Sequence, residues 1–106
     1  MKLSTPAVMP FTRDAAIQML KWGANPELSP YTHKQIAEWC HIFWFQYLEA
    51  DAEPEIEALL PILSEVDAQW DLYLANTYPF EVLQKMEFEK EQMPKEWFNT
   101  WLRQVT

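Results

Sequence analysis

Gly23 is the only glycine in this sequence, against eight prolines. Tight hairpin turns and phosphate-cradling loops both need residues that adopt positive φ at little cost, which is what glycine supplies. With a single such position, an all-β fold and a nucleotide-binding loop are both disfavoured. Apolar material is plentiful: hydrophobic residues make up 49% of the chain and aromatics 15%, and each aromatic buries about 150–250 Å2. A chain of 106 residues fits one domain with one core. The expected fold is therefore all-α: a single-domain compact bundle of about five helices spanning residues 1–106, with residues 1–11 as an extended N-terminal segment.

Local signals place the helices. A first helix is expected from Arg13 to Trp22, with Thr12 as N-cap, Asp14 in the first turn, Ala16, Ile17 and Leu20 as its buried stripe, and Gly23 as its stop. Trp22 falls off that stripe and reads as either a loop-packing residue or an exposed anchor. Thr32 and Gln35 form a capping-box pair. The helix that follows, from about His33 to Ala50, carries Ile36, Trp39, Cys40, Phe43, Trp44 and Tyr47 at three- and four-residue spacing. Ile42 and Phe45 fall on its opposite side, between Glu38 and Glu49, so this helix is apolar on two faces. It is either the central helix of the bundle or an exposed docking surface.

A third helical region opens at Glu53-Pro54 and runs to about Ala75 along Ile56, Leu59, Leu63, Val66, Trp70, Tyr73 and Leu74. Pro61 lacks an N–H and clashes with the preceding turn, so a kink or short break is expected near Leu60. Val82, Leu83, Met86 and Met93 suggest a fourth helix reaching about Gln92, with Glu81 and Lys85 as an i,i+4 pair. The last helix starts at Pro94 and presents Trp97, Phe98, Trp101, Leu102 and Val105.

Charge is unevenly distributed along this chain. The formal net charge is −8, and between Gln35 and Gln84 there are ten carboxylates and no Lys or Arg. Such a segment repels polyanions, so direct nucleic-acid binding and docking to an anionic membrane are not expected. If the third region were one straight helix, Glu53, Glu57, Asp67 and Asp71 would form a single stripe. Like charges at i,i+4 cost about 0.2–0.5 kcal/mol per pair. A basic partner would supply the missing cations; alternatively, cations from the terminal helices cross over to the stripe, or it is a solvated face.

The chemistry-bearing residues are sparse. Glu38-x-x-His41 has the spacing of a helical carboxylate metal site, but that design needs a second copy and further glutamates, so no metal or other cofactor is expected. Cys40 and His41 diverge by about 100° as helix neighbours, and Cys40 lies on the main apolar stripe, the place of an inert thiol. No zinc-type cysteine pair or nucleophile elbow is present. One cysteine permits no internal disulfide, Pro6 and Pro10 interrupt any export-signal core, and the longest apolar run, Ile42 to Phe45, is far short of the roughly 20 residues that span a bilayer. These features suggest a protein of the bacterial cytoplasm.

The expected function is non-enzymatic binding. In one form the acidic surface neutralises a basic protein partner, such as a toxin or nucleic-acid-binding protein, in the manner of an immunity protein, antitoxin or phage inhibitor. Glu53, Glu57, Asp67, Asp71, Glu38 and Glu49 would then give charge and Phe45 the apolar anchor. In the alternative form the chain is a helical adaptor or assembly factor whose Ile42 and Phe45 form a hydrophobic interface, which permits a homodimer.

Overall fold

The computed structural model describes residues 7–85, 88 and 90–106. Residues 1–6 of the expected extended segment and Met86 of the expected fourth helix lie outside them. The architecture is an all-α bundle: α1 (Arg13–Ala24), α2 (His33–Phe45), α3 (Pro54–Glu57), α4 (Leu60–Thr77), α5 (Phe80–Leu83) and α6 (Lys95–Val105), with a 3-10 turn over Pro26–Leu28. With α3 and α4 taken as one interrupted element, these are the five helices the sequence implies. One hydrophobic core joins them. Ala16, Met19 and Leu20 of α1, Ile36, Cys40 and Phe43 of α2, Leu63 and Val66 of α4, and Phe98 of α6 are fully enclosed.

The caps act as their chemistry requires. The Thr12 hydroxyl accepts from the Ala15 N–H at 3.1 Å. The Thr32–Gln35 pair closes reciprocally: the Thr32 side chain accepts from the Gln35 N–H while the Gln35 side chain accepts from the Thr32 N–H. The break in the third region falls at Ala58–Leu59, immediately before Pro61. An uninterrupted helix would require the Pro61 nitrogen to donate to Glu57; restarting the helix at Leu60 puts proline in a first turn, where no donor is needed.

Three expected boundaries move, each for a tertiary or electrostatic reason. Gly23 is not a stop but a buried residue inside α1, where a Cβ would fall within the Phe98 ring. Helix α2 ends at Phe45 instead of reaching Ala50, and i→i+3 bonds, Tyr47 N–H to Trp44 and Leu48 N–H to Phe45, close it. Continuing it would place Glu49 and Asp51 at the negative end of the helix dipole. The fourth helix stops at Leu83, so Lys85 lies beyond it and the Glu81–Lys85 pair does not sit on one helix. Further on, Phe88 takes a left-handed backbone with φ 56° and stacks on Tyr78, and the chain then turns inward to Met93.

Helices α1 and α6 pack antiparallel. At one end Phe98 fills the space left by Gly23. At the other, Arg13 donates to the Val105 carbonyl at 2.6 Å, a cation at the negative end of α6. His33 locks this seam to the loop before α6. Its Nε2 lies 2.8 Å from the Gly23 carbonyl, its Nδ1 lies 2.8 Å from the Met93 N–H, and its ring stacks on Phe98. A carbonyl can only accept and an N–H can only donate, so the imidazole is neutral with its proton on Nε2. Burial holds its pKa below the usual histidine value, with the Gly23 bond opposing.

The segment before α1 covers α2's inner face. Trp39 donates its indole N–H to the Met9 carbonyl at 3.1 Å, and Phe11 packs against Trp39 and Phe43. Trp22 packs edge-on against Tyr31, which makes it a loop-packing residue. No helix among the described residues is long and apolar enough to cross a membrane.

Candidate docking face on the second and fourth helices

Helix α2 buries Ile36, Trp39, Cys40 and Phe43 against the core. Its other apolar face is uncovered: Ile42 is 46% exposed, Phe45 53%, and Leu48, just past the helix end, 56%. The sequence leaves open whether this second face is a central packing surface or a docking surface. In the folded chain it faces solvent, because α1, α4 and the N-terminal segment all lie against the other sides of the helix.

Beside this face runs a cleft of about 460 Å3, lined by Ala37, Glu38, His41 and Ile42 of α2 and by Asp67, Trp70 and Asp71 of α4. Its central contact is polar. His41 Nδ1 lies 2.7 Å from an Asp67 carboxylate oxygen, and the same oxygen accepts the Trp44 indole N–H at 3.1 Å. Since a carboxylate only accepts, His41 carries its proton on Nδ1. The imidazole also leans on the Phe45 ring, with centroids 5.2 Å apart. A continuous surface thus runs from the carboxylates of α4 across His41 to the exposed phenyl ring. Asp71, at the cleft edge, has its pKa raised by partial burial and by Asp67, with His41 acting in the opposite direction.

The structure brings together Glu38, Ile42, Asp67 and Asp71 around this cleft, with Phe45 one turn along α2. It separates Glu53 and Glu57, which lie on α3 and its cap, beyond the break. The two pairs of the expected stripe therefore lie on either side of the break, on different helices. Glu53 instead lines a different cleft with Asp51 and Glu55, which Arg13 of α1 also lines, although the Arg13 guanidinium itself bonds the Val105 carbonyl. Glu49 is exposed beyond the end of α2.

Two residues of the face are not evident from sequence in this role. His41 is visible there as one half of a Glu-x-x-His spacing and as the neighbour of Cys40, and Trp44 only as a core aromatic. In the structure both are tied to Asp67, a partner fixed by how α2 and α4 align and not by sequence spacing. Trp44 is half-buried. Cys40 is wholly buried, and burial, followed by the nearby Asp67 charge, pushes its thiol far above the usual range, which suppresses the nucleophilic thiolate. Among the described residues, no group of three or more His, Cys, Asp or Glu side chains is placed to hold a metal ion.

Comparison of the chain with known protein families, with curated proteins and with solved structures finds no match.

Proposed function

We propose that this chain is a non-enzymatic binding protein that docks a basic protein partner on the outer face of α2 and the adjoining edge of α4, and so neutralises or inhibits it. The observation that carries the reading is the pairing of two features on one surface. An exposed aromatic and an exposed aliphatic, Phe45 and Ile42, adjoin a cleft lined by Glu38, Asp67 and Asp71 and, among the described residues, by no Lys or Arg. Protein interfaces concentrate binding energy in a few aromatic anchors surrounded by polar groups. Acidic groups around such an anchor favour encounter with a basic surface and set its orientation. The net charge of −8 adds long-range steering toward the same class of partner and away from nucleic acid.

A second reading, a helical adaptor acting through an apolar and homodimeric interface, is favoured by the exposure of Leu48 next to Phe45. Salt separates the two, because charge-led association slows steeply with ionic strength and apolar docking does not. The test is capture of partners from lysate by the tagged protein at low and high salt, repeated with Phe45→Ser. Retention of a basic protein that is released by salt and lost with Phe45→Ser supports neutralisation. Retention only of the chain itself, insensitive to salt, supports the adaptor. Retention of the basic protein unaffected by Phe45→Ser and by alanine at Asp67 and Asp71 removes this face from the account.

A further inference from the structure

We infer that the occupant of the α2–α4 cleft is an amphipathic α-helix that carries two Lys or Arg residues one turn apart beside a row of aliphatic side chains. This rests on the docking face proposed above and names what fits it. Asp67 and Asp71 are four residues apart on α4, which places them about 6 Å apart along the axis. Cations at i and i+4 of an incoming helix repeat at the same interval, so one can meet the exposed Asp71 and the other the Asp67 oxygen that His41 and Trp44 do not use. Ile42 and Phe45 stand three residues apart on α2 and are both exposed, the spacing of one helical ridge, and a groove between two packed helices accepts a third helix by the same interdigitation.

Other backbone forms fit less well. Among the described residues there is no β-strand, so an extended segment has no sheet edge to extend. Polyproline segments dock between several exposed aromatic rings, and here Phe45 is exposed but the tryptophans beside it are committed. The Trp44 indole N–H is bonded to Asp67, and Trp70 is buried. The charge requirement is equally specific. Among the described residues, the cleft wall holds Glu38, Asp67, Asp71 and His41 as its titratable groups and no Lys or Arg. Lys34 lies one turn before Glu38 on α2.

The inference is tested with the full-length chain and two synthetic peptides of identical composition, read by fluorescence anisotropy. In one, Leu residues form a single helical face flanked by Arg at i and i+4; in the other the same residues are reordered so that no such face forms. The helical-face peptide should bind, the reordered one should bind at least about tenfold more weakly, and Phe45→Ser and Asp71→Asn should each weaken the first by about tenfold, equivalent to about 1.4 kcal/mol. Both altered side chains are exposed, and circular dichroism confirms that each variant is folded. Equal binding of the two peptides, no binding by the helical-face peptide, or binding unchanged by both substitutions overturns the helix proposal. The broader reading then still stands if the lysate partner remains dependent on Phe45, and falls with it if that dependence is absent.

Discussion

The seam between α1 and α6 is sealed along its length, whereas the seam between α2 and α4 is sealed on the core side and open on the other. In the first, Gly23 admits the Phe98 ring, His33 spends both ring nitrogens on backbone groups, and Arg13 closes the far end on Val105. In the second, Val66 and Trp70 pack inward, but the outer contact is a partly exposed His41–Asp67 pair flanked by exposed Ile42 and Phe45. Partly exposed polar pairs of this kind contribute only about 0–1 kcal/mol. The inner sides of both seams bury core residues, and the outer side of the second is left free to carry apolar groups that do not serve folding.

The largest expected effect is in the sealed seam. Phe98→Ala removes a fully buried ring and should cost about 3–5 kcal/mol in a urea titration. A cost below about 1 kcal/mol, the level of an ordinary surface change, would mean that the seam is not the structural anchor. Next, Gly23→Ala forces a methyl group into the Phe98 ring and should cost about 1–3 kcal/mol or more. Combining it with Phe98→Leu should recover part of that loss, since the two share one contact. Additive costs would show that the clash lies elsewhere.

The pH response should come from the same seam. His33 has a lowered folded pKa, so below about pH 6.5, the unperturbed value, the unfolded chain binds a proton that the folded chain refuses. Its contribution is complete above that pH and declines as pH falls toward the folded value. Asp71 has the opposite sign: its raised pKa makes its ionised form unfavourable in the fold, a penalty relieved on acidification. Chemical denaturation from pH 7.5 to 5 should show falling stability in the parent chain and a flatter profile in His33→Gln. Identical profiles would remove His33 as the source.

The smallest stability effects belong to the open seam. Asp67→Asn should cost no more than about 1 kcal/mol, and Phe45→Ser should change stability by no more than about 0.5 kcal/mol, while the same Phe45 substitution abolishes partner capture. A Phe45→Ser variant destabilised by several kcal/mol would mean that this ring is part of the core and that the two seams are alike.

Much of this division is legible in the sequence, and the parts that are not share one cause. Three- and four-residue spacing identifies the buried faces of α2, α4 and α6, the Thr32–Gln35 pair marks a helix start, and Pro61 announces a break, because each of these depends only on near neighbours. Gly23 looks like a helix stop because glycine after an apolar stripe commonly is one; its actual role is set by Phe98, far along the chain. The fourth helix looks longer than it is because its apolar spacing takes in Met93, whose burial and N–H bond to His33 are tertiary contacts. The same applies to the candidate face. That α2 has two apolar sides is readable, but which one is covered depends on where the other elements pack, and the His41–Asp67 pair depends on the alignment of α2 with α4. The break before Pro61, foreseen as a local event, sets Glu53 and Glu57 on a different helix segment from Asp67 and Asp71.

The most direct test of the account is hydrogen–deuterium exchange of the protein alone and with its captured partner. The account predicts that binding slows exchange at the exposed end of α2, around Ile42 to Leu48, and along α4 around Asp67 to Leu74, while α1 and α6 exchange as before. Slowed exchange in α1 and α6, with α2 unchanged, would contradict it and place the working surface on the seam described here as sealed.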